Sequence, residues 1–293
     1  MRKWILHIAL FLIYQTAFGQ TNLYQFNAYK ALLNPAASAE FENVNFASLG
    51  NFRWLEVEGA PTNYALNING AVKENTFLGF QLNQTNVGLS SFTQFDFAIT
   101  QSFQISETKK VAFSLAPGFS FNGSRLTEAN LVDVSDVEFS ANQPLLVLPL
   151  ARFGAQLYSE KFYLGFAIPN LIESTVFFEK GFDKRNSFSP DFWDLLVTAG
   201  WKKEMGKNFQ LDLANQTKLF PNSVVATELL LSIKVFNRIT LGATYSSQNT
   251  STWFGQIYMA ENIFFGYGYN QNFAPILTSL PSHEVMLVFK GRN

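Results

Sequence analysis

Three consecutive residues, Ser282-His283-Glu284, are of the types from which a hydrolytic triad is built. The chain has two histidines, and His7 lies in an N-terminal apolar run, so a base would have to be His283. Successive residues of a strand point to opposite faces, which sets Ser282 and His283 apart. No serine sits in a Gly-x-Ser-x-Gly element. One histidine without cysteine is also a poor metal site. Enzymatic and metal readings are therefore weak, no cofactor is implied, and a structural role for His283 on the last strand is expected.

Other candidates are contact residues. Gly59-Ala60-Pro61 has turn chemistry, because Gly allows positive φ and Pro fixes its own. It is either an ordered loop or, with Arg53 and Trp54, the lining of a mouth. Residues 169–192 carry Phe177, Phe178, Phe182, Phe188 and Phe192, which form either an exposed contact surface or a self-packed lid. Residues 123–147 set Glu128, Asp133, Asp136 and Glu138 against Arg125. Their spacing is not that of an EF-hand, so a solvated acidic loop is expected.

Positioning these residues requires a scaffold, and the composition restricts it. Phenylalanine fills 32 of 293 positions; aromatics reach 16% while charged residues fall to 15%, against about 25% charged in an ordinary soluble domain. Arg2-Lys3, an apolar run to Tyr14 and Ala17-Phe18-Gly19 read as a signal peptide over residues 1–19. Without Arg2 and Lys3 the net charge of −1 becomes about −3, which leaves no footprint for nucleic acid. Cysteine is absent, which excludes a disulfide framework and a lipidated N-terminus.

Beyond the signal the apolar residues alternate with polar ones. Phe95, Phe97, Phe113, Leu115 and Phe121 share one face of their strands, and Gln94, Asp96, Ser114 and Ser120 the other. The polar face is Asn, Gln, Ser and Thr rather than the Lys and Glu of a wet sandwich. That inverts a soluble sheet: Phe toward lipid, amides and hydroxyls toward a lumen. An open edge in hydrocarbon would leave peptide groups unpaired, so the sheet must close.

The expected fold is all-β, a transmembrane antiparallel barrel of about fourteen strands spanning 43–293, after a non-strand N-terminal segment, 20–42. The strands are placed at 43–53, 62–72, 76–85, 92–105, 109–122, 148–158, 161–168, 193–203, 208–216, 224–236, 238–246, 252–260, 262–270 and 283–290. Short joins then alternate with longer ones at 54–61, 86–91, 123–147, 169–192, 217–223, 247–251 and 271–282. Short turns belong in the periplasm and long loops outside. Segment 20–42 either plugs the periplasmic end of the lumen or lies outside as a partner-binding arm; Pro35 ends any helical turn over 27–33.

FNAYKALL at 26–33, NPAASA at 34–39, RWLEVEGAPTNYALNINGAV at 53–72 and SHEVMLVF at 282–289 resemble the PorP/SprF family of Bacteroidota outer-membrane proteins. That family shows an early Asn-Pro-Ala, then Arg-Gln-Trp with a Gly-Ala-Pro loop, and a Ser-His-Glu near its last strand. Here Arg53-Trp54 lacks the intervening Gln, while Gly59-Ala60-Pro61-Thr62 is intact. The resemblance implies an outer-membrane accessory barrel of type IX secretion and gliding, with lipid around it. It also implies one of two partners: the C-terminal sorting domain of a large secreted adhesin, or periplasmic peptidoglycan-binding components of the core machine. On the adhesin reading the partner-binding residues are Asn34, Pro35, Arg53, Trp54, Gly59, Ala60, Pro61, Phe177, Phe178, Phe182 and Phe188. A small-solute or hydrophobic-molecule transporter is the competing class. A porin-like pore should show charged lumen rings; the inward positions read as mostly neutral, with Asp96, Asp212, Glu228 and Lys234 as exceptions, which disfavours a selective ion pore and leaves a solute route open.

Overall fold

The computed structural model describes residues 23–41, 43–128, 142–177, 183–187, 193–221, 225–273 and 280–291. Sixteen strands occur among them: β1 (Asn45–Arg53), β2 (Thr62–Lys73), β3 (Thr76–Val87), β4 (Ser90–Ser106), β5 (Lys109–Ser124), β6 (Gln143–Tyr158), β7 (Phe162–Ile168), β8 (Glu173–Phe177), β9 (Asp183–Ser187), β10 (Leu195–Met205), β11 (Phe209–Leu219), β12 (Ala226–Val235), β13 (Ile239–Ser246), β14 (Thr250–Ala260), β15 (Ile263–Asn272) and β16 (Ser282–Lys290). All but β8 and β9 pair with their neighbours into a closed antiparallel barrel of fourteen strands. Closure is made by β1 against β16, from Asn45↔Lys290 to Arg53↔Ser282. Every barrel strand then has two partners, so no ladder edge meets lipid.

The alternation sorts the side chains as the lipid–lumen reading requires. Phe97, Ile99 and Leu115 are 56%, 59% and 52% exposed on the outer wall, while Asp96 and Thr100 are 1% and 0% exposed inside. An apolar outer surface of this extent would drive aggregation in water; in a bilayer it faces its own solvent. Ring contacts such as Phe95–Phe121 (5.8 Å, stacked) and Phe80–Phe97 (5.1 Å) tie neighbouring strands together on that face.

At one end the strands join through two or three residues, as at 74–75, 107–108, 159–161 and 206–208, and both barrel termini lie there. By the loop-length rule this is the periplasmic end. The other end departs from the expected pattern in four places. β3 and β4 run on until they meet at Gly88-Leu89, where Gly88 has φ +55°, and β13 and β14 meet through 247–249. Strand pairing there continues past the alternating stretch, so loop length is not strictly alternating. β6 begins five residues earlier than the alternation indicates, at Gln143. Within the expected loop 169–192, β8 and β9 form a separate hairpin, in register from Glu173↔Ser187 to Phe177↔Asp183.

The lumen is not an empty polar channel. Residues 23–41 run inside it and are almost wholly enclosed: Leu23, Phe26 and Tyr29 are at most 1% exposed. They pack on inward apolar residues, including Leu49, Leu230, Phe254, Phe264 and Met286. A second cluster joins Ala36 and Ala39 to Phe77, Ala112, Tyr158 and Tyr163.

Candidate functional site

The internal segment is held by its own turns and by the wall. Asn34 caps the turn Pro35–Glu40: its Oδ1 accepts from Ala36 N (3.0 Å), and Pro35 occupies the first helical position, where a missing N–H costs nothing. The Asn34 amide donates to Ala155 O (3.0 Å) and Gln156 Oε1 (2.9 Å) on β6. Asn34-Pro35 is therefore a lock between segment and barrel rather than an exposed contact. Further on, Ser38 Oγ lies 3.0 Å from Thr100 Oγ1, and Tyr158 Oη donates to Ala39 O (2.9 Å). Tyr29 Oη donates to Asn67 Oδ1 (3.1 Å) and accepts from Asn69 Nδ2 (2.6 Å).

Glu284 anchors the opposite end of the segment. Fully buried, its carboxylate accepts from Tyr24 N (2.8 Å), Gln25 N (3.0 Å), Gln25 Nε2 (3.3 Å) and Asn51 Nδ2 (3.4 Å). Charge-assisted acceptance from several donors is what makes a buried carboxylate tolerable. Lys30, also buried, pairs with Glu40 at 2.5 Å and lies 3.7 Å from the centre of the Tyr163 ring. Burial pushes the Lys30 ammonium below its ordinary range, opposed by the Glu40 charge.

A buried ion pair lies beside the midpoint of the segment. Arg152 Nη2 donates to Asp96 Oδ1 (2.8 Å) and Gln81 Oε1 (3.2 Å), and Arg152 Nη1 to Leu32 O (3.4 Å). Arg152, Lys202, Lys218, Glu284 and Lys290 all face inward, so the lumen carries more charge than the sequence reading assigned it. The period of two that put Asp96 inside also puts Arg152 inside, two residues from Gly154 and four from Gln156. That was the available signal.

Above the segment, toward the long-loop end, lies a cavity of about 840 Å³. Its floor includes Leu23, Leu32 and Arg152, and its walls the amides of Asn63, Asn83 and Gln94. Its rim includes Arg53, Trp54 and residues 57–61. Arg53 N donates to Pro61 O (3.0 Å) and Trp54 N to Pro281 O (3.0 Å), which ties this loop to the end of the 273–281 connection. Gly59 has φ +72°, a value an L side chain rarely adopts, and its carbonyl accepts from Gly88 N (2.8 Å). Trp54 itself sits at φ +49°. Arg53, Trp54, Gly59, Ala60 and Pro61 are thus gathered at one mouth, whereas Asn34 and Pro35 lie deeper. Phe177 ends β8; Phe178, Phe182, Phe188 and Phe192 lie outside the described residues.

Ser282 and His283 take opposite faces of β16. Ser282 is buried in the lumen, and His283 Nδ1 lies 2.8 Å from Tyr267 Oη on the outer face, next to Tyr269. The pair cannot act on one substrate atom.

Residues 15–289 match the family described as type IX secretion system membrane protein PorP/SprF. No curated protein matches the chain. Among solved structures the chain is similar to the CymD monoaromatic hydrocarbon channel, with 12% identity, 94% of this chain and 96% of that one covered, and a TM-score of 0.56. It is also similar to the Ralstonia pickettii toluene transporter TbuX, with 10% identity, 88% and 91% covered, and a TM-score of 0.49. The first likeness is one of fold; the second is too distant to argue from.

Proposed function

The chain belongs to the PorP/SprF family of type IX secretion system membrane proteins, and from that premise we propose that it is an outer-membrane accessory barrel that holds the C-terminal sorting domain of one secreted adhesin at its long-loop end. The observation that carries this reading is the division of the lumen. Residues 23–41 fill its interior, while a cavity of about 840 Å³ stays open above them on the side where cargo leaves the cell. Amides in the cavity wall, Asn63, Asn83 and Gln94, offer donors and acceptors to peptide groups beside the charged Arg53, Arg152 and Lys218. Trp54, Val57 and Pro61 at the rim supply apolar anchors. The closed sheet and its Phe-rich outer wall keep the barrel in the membrane against pull on the adhesin.

Deleting the gene in its native cell tests the reading. One adhesin should be lost from the surface while other type IX cargo still travels. Loss of all type IX cargo would assign the protein to the core machine instead. A change in small-solute uptake alone would favour the transporter reading, which the cavity's size permits and the filled lumen opposes.

A further inference from the structure

Four lysines converge on the lumen at the short-turn end. Lys202, Lys234 and Lys290 fall on the inward parity of β10, β12 and β16, one turn or less from the strand ends. Lys30 reaches the same space from the internal segment. The charges act on one another: Lys290 is repelled by Lys202, Lys30 and Lys234 and attracted less strongly by Glu40, while Lys234 is attracted by Asp212 and repelled less strongly by Lys202. Aromatic faces position three of them. Lys30 lies 3.7 Å from the Tyr163 centroid, Lys234 4.2 Å from that of Tyr258, and Lys290 5.6 Å and 5.7 Å from those of Phe264 and Phe41.

Two carboxylates enter this group, Glu40 and Asp212. Glu40 is taken up by Lys30 and Gln156, and Asp212 accepts from Gln210 Nε2 (2.7 Å) while standing opposite Lys202 in register. Among the described residues, Lys202, Lys234 and Lys290 form no ion pair. Among the described residues, four lysines stand against two carboxylates, so that end of the lumen carries an excess of basic groups within a low-dielectric wall. Such an arrangement keeps its charge only where an anion completes it; otherwise ammonium groups must give up protons.

We propose that the short-turn mouth of the lumen is an anion-binding site in which Lys202, Lys234 and Lys290, backed by Lys30, take a doubly negative group from the periplasmic side. The matching chemistry is a phosphate, or two carboxylates held close together on one molecule. Ammonium groups on flexible stems suit either, since neither needs the planar fork of an arginine. The site is independent of what the long-loop cavity holds.

The test uses the full chain in detergent, with heat-modifiable gel migration to verify the folded barrel. Each lysine's reactivity toward a brief pulse of acetylating reagent is read by mass spectrometry. Inorganic phosphate, succinate and chloride are compared at one ionic strength. With an anion at about ten times its Kd, labelling of Lys202, Lys234 and Lys290 should fall about tenfold, while rim residues Lys73 and Lys207 keep their rates. Protection by phosphate alone identifies a phosphate site, and protection by succinate as well a dicarboxylate-tolerant one; both support the proposal. Lys290→Gln should remove most of the protection at Lys202 and Lys234 without altering heat-modifiability. Protection no greater than with chloride, or equal protection of the rim lysines, overturns it.

Discussion

Asn34 occupies the space that a side chain at residue 154 would need: a Cβ built on Gly154 falls 2.2 Å from Asn34 Oδ1 and 2.9 Å from Ala36 N. The internal segment and β6 are fitted to each other at this point. Gly154→Val should therefore eject the Asn34 turn from the wall. In planar bilayers the native barrel should be electrically silent and the variant should show conductance steps. Equal conductance in both would mean that residues 23–41 do not block the lumen.

Glu284 should hold the other end of the segment. Replacing it with Ala strands the amides of Tyr24 and Gln25, and each hydrogen bond to a charged partner contributes about 1.5–3 kcal/mol. Hydrogen exchange at Tyr24 and Gln25 should accelerate by at least about tenfold, with the strands of β5 and β6 unchanged. Unaltered exchange at those two amides would remove Glu284 as an anchor.

Arg152 and Asp96 should be strongly coupled. Arg152→Met alone leaves a buried carboxylate unpaired and should cost about 3–5 kcal/mol, while the double variant with Asp96→Leu should cost markedly less. Reversible unfolding from lipid vesicles in urea measures the cycle. Additive effects of the two changes would show that the ion pair is not a unit.

The two faces of the wall should answer differently to charge. Leu115→Arg, on the outer wall, should destabilise by about 2–4 kcal/mol. Gln94→Arg, at the cavity wall, should cost far less. The comparison needs Gln94 rather than Ser114, because Ser114 is buried inside beside Thr100 and Pro35, where no free lumen remains.

Much of the wall was legible because its signal is local. The period of two in 92–105 and 109–122 separates lipid from lumen without any knowledge of partners, and it finds β4 and β5 with their faces correctly assigned. Strand ends were less legible: outside the bilayer the pairing of β3 with β4 runs to Val87↔Ser90 over residues with no alternation to mark it. The mouth was half legible. Gly59-Ala60-Pro61 announces a turn, but only the fold brings Pro281 to Trp54. Least legible was the interior. Asn34, Glu284 and Gly154 are separated by more than a hundred residues in sequence, and nothing local marks a carboxylate that will accept from two backbone amides across the lumen. Inward apolar residues such as Phe254 and Phe264 likewise make sense only once Phe26 and Leu23 stand opposite them.

The measurement closest to the central claim is site-specific photo-cross-linking in native cells. A photoreactive amino acid at Trp54, on the cavity rim, is compared with one at Asn208, in a short turn. A long-loop dock predicts cross-links from position 54 to the C-terminal domain of one type IX adhesin, and none to that domain from position 208. Cross-links to the adhesin from position 208 alone, or none from either position while the adhesin is being displayed, would contradict it.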